Sequence, residues 1–183
     1  MALFKGRRSP SPLNEQKLSE LALRYVGRFA TTRAKLRAYL QRKVHERGWE
    51  GALPPDPESL ANRFAEQGYI DDAGYALAKS RALTGRGYGT RRVDQALRIA
   101  GIEEDDGLAA RELARDEAVE SALRFAERRR IGPFAAKWLD DPRDRQKAIA
   151  AMVRAGHSFS LSNTIVLLRP GAPIDREELA NLS

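Results

Sequence analysis

Gly68-Tyr69-Ile70-Asp71-Asp72 and Gly85-Arg86-Gly87-Tyr88-Gly89-Thr90-Arg91-Arg92-Val93, closed by Leu97 and Gly101-Ile102, decide the fold. Gly68 ends one helix, because glycine enters the left-handed conformation that stops a helix without steric cost. Asp71 or Asp72 accepts from the free amides that open the next. That helix runs into Gly85, Gly87 and Gly89, and a further helix runs from Thr90 to a stop at Gly101. Stepping about 100° per residue from Val93 places Val93, Ala96, Leu97 and Ala100 on one face. Arg91, Gln95 and Arg98 fall on the opposite face, toward solvent.

The same punctuation extends in both directions. Upstream, Leu18, Leu21, Ala22, Tyr25 and Phe29 recur at helical spacing. Thr31 or Thr32 caps a second helix with Leu36, Tyr39, Leu40 and Val44 inward, stopped by Gly48, with Trp49 packing back. Asp56-Pro57 reads as a cap followed by proline in the first turn. The helix after it turns Leu60, Ala61 and Phe64 inward. Downstream, Glu103 to Ala114 offers Leu108 and Leu113 for packing, and Asp116 opens a helix through Ala118, Ala122, Phe125 and Ala126. Asp141-Pro142 repeats the cap-and-proline pattern before Ala148, Met152 and Val153. Ser158 or Ser160 caps the helix of Leu161, Ile165 and Leu168, and Asp175 to Leu182 forms one more short helix.

Three of these helices superpose. Leu36, Val93 and Ala148 correspond, as do Leu40, Leu97 and Met152. The reading is an all-α chain of eight or nine helices, built as tandem repeats of three-helix units that form an elongated, curved array. The expected division is a disordered basic arm over 1–13, repeats over 14–70, 71–115 and 116–169, and a tail over 170–183.

Net charge is +7, which favours a polyanion or an acidic protein surface as partner. Arg24 to Arg47 holds eight lysines and arginines against one acid, Glu46, whereas Glu103 to Glu120 holds eight acids against Arg111 and Arg115, so the charge is dipolar. With no cysteine, disulfides and thiolate chemistry are excluded. No apolar run approaches the length of a bilayer span, and a cytoplasmic protein is expected. The two histidines, His45 and His157, sit beside helix ends and read as capping or surface residues. Gly85 to Gly89 lacks the Gly-Lys-Ser/Thr ending of a phosphate loop and reads as an interhelical hinge. Asp71-Asp72 reads as a cap rather than a metal site. Neither a catalytic constellation nor a cofactor is implied.

The outward positions carry the functional expectation. Beside Arg91, Arg92 and Arg98, the other two aligned helices present Lys35 and Arg42, and Arg143, Lys147 and Arg154. In register, these faces form one basic stripe suited to carboxylates and phosphates.

The central stretch resembles the RecX family of bacterial recombinase regulators. The matching residues are Gly68 to Asp72 with Tyr75-Ala76, Gly87-Tyr88-Gly89 with Arg91-Arg92-Val93, Leu97 and Gly101-Ile102. Ala22-Leu23-Arg24-Tyr25 with Arg33 and Leu36 resembles the family's first unit. Arg145-Gln146-Lys147 with Gly156 and Ser158-Phe159 resembles its third. Ala96 and Ala100 replace an acidic residue and a lysine usual in the family, and Lys35 stands where a glutamate is common. The resemblance implies a non-enzymatic protein that binds the RecA recombinase and its nucleoprotein filament, with the single-stranded DNA inside it, and inhibits its activity. Tyr69, Tyr75 and Leu97 are expected to pack. No dimerisation element is visible, so a monomer is expected. The competing readings are a helical transcription regulator, with Thr90 to Gly101 as recognition helix, and a protein-docking scaffold without nucleic-acid contact.

Overall fold

The computed structural model describes residues 11–182. They contain ten α-helices and no β-strand. The helices are α1 (Glu15–Val26), α2 (Arg33–Arg47), α3 (Pro57–Glu66), α4 (Asp72–Gly85), α5 (Thr90–Ala100), α6 (Leu108–Asp116), α7 (Ala118–Arg129), α8 (Pro142–Arg154), α9 (Phe159–Leu167) and α10 (Arg176–Ala180). No described helix is long and apolar enough to cross a membrane. The chain divides into two compact units, one ending at Asp72 and one beginning at Ala73.

In the first unit each helix starts on a side-chain cap. Asn14 accepts from the Lys17 amide, Thr32 from Lys35 and Asp56 from Ser59, with Pro57 in the first turn of α3. Their apolar faces meet in one cluster of Leu18, Ala22, Leu36, Leu40, Leu60, Ala61, Phe64 and Ile70. The expected basic arm over 1–13 lies mostly outside the described residues, but its last residue belongs to this core. Leu13 is fully buried, its amide donating to Gly48 and its carbonyl accepting from Glu50. Phe29 departs from its expected place: α1 ends before Gly27, and the ring is exposed.

The second unit holds two clusters. Around α4, α5 and α6 lie Ala76, Leu83, Val93, Leu97, Ala100, Ala110 and Ala114. Here α6 buries its alanines instead of Leu108, which is exposed. Small residues on that face let α6 approach α4 closely enough for Ser80 Oγ to donate to the Ala110 carbonyl at 2.7 Å. Around α7 to α10 lie Phe125, Ile149, Met152, Leu161, Ile165 and Leu179. In α8 the buried partner of Met152 is Ile149 rather than Ala148, one residue on from the sequence alignment. The larger side chain takes the core position. The expected tail over 170–183 contains α10, capped by Asp175, and its Leu179 is buried in this cluster.

Between these two clusters runs a tight joint. The Gly89 amide donates to Ala155 O at 3.0 Å and the Arg91 amide to Gly156 O at 3.2 Å, so the first turn of α5 meets the last turn of α8. The free amides of one helix end thereby find the free carbonyls of another, and the helix dipoles meet with opposite signs. A β-carbon on Gly89 would lie 2.4 Å from the Gly156 backbone, and one on Gly87 2.9 Å from the Phe125 nitrogen. His157 is buried, with Nε2 donating to the Gly87 carbonyl at 3.2 Å. Tyr88 packs against both clusters. Gly85 to Gly89 is therefore not the hinge expected from its composition. Gly87 and Gly89 admit close approach of two backbones. His157 is likewise not a surface capping residue.

Candidate partner interface

The face of α5 is fixed by its core side. Val93 and Leu97 have no exposed surface and Ala100 almost none. Gly101 closes the helix in the left-handed conformation, φ 68°. Arg91, Arg92, Gln95, Arg98 and Ile99 are consequently exposed. The guanidiniums of Arg91 and Arg98 meet no side-chain or backbone partner among the described residues. Arg92 is engaged: Nη1 donates to Gln95 Oε1 at 2.8 Å, and the group lies 5.9 Å from the Tyr88 ring centre. Ile99 keeps 76% of its surface exposed, between Arg92 and Arg98 on the helix surface.

On α8, Arg143 and Arg154 are exposed and unpaired among the described residues. Lys147 bonds Asp144 Oδ1 at 2.8 Å, and that hydrogen bond raises its pKa. The joint brings Arg154, in the last turn of α8, to the first turn of α5, where Arg91 and Arg92 sit.

In the first unit the basic block is largely answered. Arg42 faces Glu46 at 3.5 Å and lies 5.7 Å from the Tyr39 ring centre. Lys43 bonds the same glutamate, Arg37 reaches Glu58 and Arg33 reaches Asp72. Lys35 is half-buried and has contacts of its own. In the acidic stretch Glu117 pairs with Arg124 and Glu120 with Arg176, whereas Arg111 reaches Asp94 on α5 and the Glu104 backbone carbonyl. The even basic faces expected on all three helices are thus uneven, and α5 carries the unpaired arginines beside an apolar side chain. The exposure of Ile99 was not legible in the sequence, because an isoleucine in a helix is ordinarily counted toward the core. Tyr69, expected to pack, leans on Phe64 at 5.3 Å between ring centres but is more than half exposed.

No family model matches the chain. It is 28% identical over 175 residues to the regulatory protein RecX of Myxococcus xanthus (strain DK1622), covering 91% of this chain and 92% of that protein. It is also 28% identical over 177 residues to the regulatory protein RecX of Mycobacterium sp. (strain JLS), covering 93% of each. Among solved structures, RecX from Lactobacillus salivarius superposes with a TM-score of 0.57 at 20% identity, over 82% of this chain and 93% of that one. A second RecX crystal structure superposes with a TM-score of 0.56 at 23% identity, over 82% and 70%. The solved structures share the helical-repeat fold, and the two sequence relatives match over more than nine-tenths of each chain. In sequence over most of its length, and in fold, the chain is similar to RecX regulatory proteins.

Proposed function

We propose that this protein binds the RecA recombinase and its nucleoprotein filament and inhibits it in DNA repair and recombination, acting by occupancy and not by catalysis. The outward face of α5 makes the contact. The observation that carries this reading is Ile99, exposed on a helix face whose Arg91 and Arg98 have no partner of their own. Protein interfaces concentrate their energy in an apolar centre with arginines beside it. Arg154 and Arg143 extend the cationic surface along α8. Arg92, Arg42, Lys35 and Lys147 contribute less, because each already has an intramolecular partner.

The test is ATP hydrolysis by the cognate RecA on single-stranded DNA. Added wild-type protein should depress the rate. Arg91→Ala/Arg98→Ala should fold as well as wild type, since exposed substitutions change stability by about 0.5 kcal/mol or less, yet relieve the inhibition. Equal inhibition by both proteins removes the site from α5. No inhibition by wild type removes the function, and protection of one defined DNA site would support a transcription regulator instead.

A further inference from the structure

The joint in the second unit carries another set of cations on its outer side, centred on α7 and the Gly85 to Gly89 loop. Arg86 and Arg92 lie 5.5 and 5.9 Å from the Tyr88 ring centre. Arg128 and Arg129 lie 5.6 and 5.8 Å from that of Phe125. The two pairs are held together, because Arg128 donates to the Arg86 carbonyl and the Gly87 backbone lies directly against that of Phe125. All four arginines are exposed. None of them forms an ion pair with a carboxylate among the described residues. Acids on the neighbouring elements are committed elsewhere, Glu117 to Arg124 at 2.9 Å and Asp94 to Arg111 at 3.3 Å. Glu127, in the same turn of α7, bonds none of the four. The carbonyl, amide and ring contacts of the four arginines supply no opposite full charge, so an anion from outside is what these gathered like charges would attract.

We propose that Arg86, Arg92, Arg128 and Arg129 form a contact for the phosphodiester backbone of a nucleic acid, made without reading its bases. One observation and one chemical argument choose a nucleic acid over an acidic protein. The loop and the last turn of α7, which supply three of the four arginines, expose no large hydrophobic side chain, whereas protein partners need an apolar centre. Phosphate contacts need only charge and donors, and arginine's planar fork matches two phosphate oxygens. The rings set the mode of contact. Tyr88 is half-buried under two guanidiniums and Phe125 is buried under the other two, so neither presents a bare face on which a base could stack. This contact shares Arg92 with the α5 face proposed for RecA and otherwise lies on the loop and α7.

The experiment contains no recombinase, so its outcome is independent of that earlier reading. The full chain is titrated into a fluorescein-labelled oligothymidylate, and into a mixed-sequence oligonucleotide of equal length, at several salt concentrations. Anisotropy gives Kd. Wild type should bind both alike, with log Kd rising linearly with log salt. Arg86→Ala/Arg129→Ala should weaken both by the same factor, roughly twentyfold at about 0.1 M salt, and lower the slope by about 0.7 for each lost contact. Neither side chain bonds the backbone; if the double variant nonetheless melts early, Arg129→Glu alone carries the test and should weaken binding at least as much as one lost contact. No binding by wild type, an unchanged Kd and slope in a folded variant, or strong preference for one sequence would each overturn the proposal. So would displacement of the oligonucleotide by polyglutamate at equal charge concentration.

Discussion

Leu97 is fully buried among Val93, Ala76, Ala100 and Ala110. Four of the other seven buried residues in that cluster are alanines, with little side chain to move into a vacated space. Leu97→Ala is therefore expected to cost about 2–5 kcal/mol, read as a lower urea midpoint. An unchanged midpoint would contradict the phase of α5 and with it the outward placement of Arg91 and Arg98. His157 makes a second prediction at this scale. Burial holds its pKa down at about 4, below the ordinary 6.5, with the Gly87 carbonyl pulling partly the other way. The unfolded chain thus takes up the proton first as pH falls. The stability that neutral His157 contributes is complete above about 6.5 and is lost as pH drops toward 4, a loss on the order of 3 kcal/mol when complete. Other groups also titrate there, so the comparison is with His157→Gln, which keeps a donor for Gly87. Denaturant midpoints from pH 7 to pH 4 should fall more steeply for wild type than for the variant, and parallel curves would assign the acid sensitivity elsewhere.

The glycines of the Gly85 to Gly89 element look alike in sequence and differ in the structure. Gly85 ends α4 with open space where a side chain would go. Gly89 has φ −82°, open to any residue, yet its α-hydrogen side lies on the Gly156 backbone. Gly85→Ala should therefore be neutral or stabilise by about 0.4–1 kcal/mol, through the unfolded chain. Gly89→Ala should cost about 1–3 kcal/mol, because α5 must move off the end of α8. Thermal unfolding separates them, and hydrogen exchange at the Gly89 and Arg91 amides should accelerate only in Gly89→Ala. Equal melting of the two variants would mean the joint is not the constraint it is taken for.

At the scale of the molecule, the first unit has a core drawn wholly from its own residues, from Leu13 to Ile70. Its ion pairs Arg33–Asp72 and Arg37–Glu58 also close within it. A fragment spanning residues 11–72 is accordingly expected to fold alone, with helical circular dichroism and a cooperative, low-temperature melt. So small a domain buries little surface and is only marginally stable. A random-coil spectrum would show that the unit needs the remainder of the chain. Charge has the same lesson at this scale. Residues 11–72 hold ten lysines and arginines against nine acids, so the basic block of α2 is a feature of the one-dimensional chain that folding largely neutralises.

Sequence by itself determined the all-α class, the caps at Thr32, Asp56, Asp141 and Ser158, and the inward face of α5. Each rests on contacts within about a turn of chain, where residue type and spacing are sufficient. The same local logic placed Arg91 and Arg98 outside. Tertiary structure alone decided which cations are free, since the acids that answer Arg33, Arg37 and Arg124 come from other turns and other elements. It also decided that Ile149 replaces Ala148 in the core, that Ile99 faces solvent, and that Gly87, Gly89, Gly156 and His157 form one joint. Those outcomes depend on residues distant in sequence meeting at a few ångströms, and no periodicity within a helix carries that information.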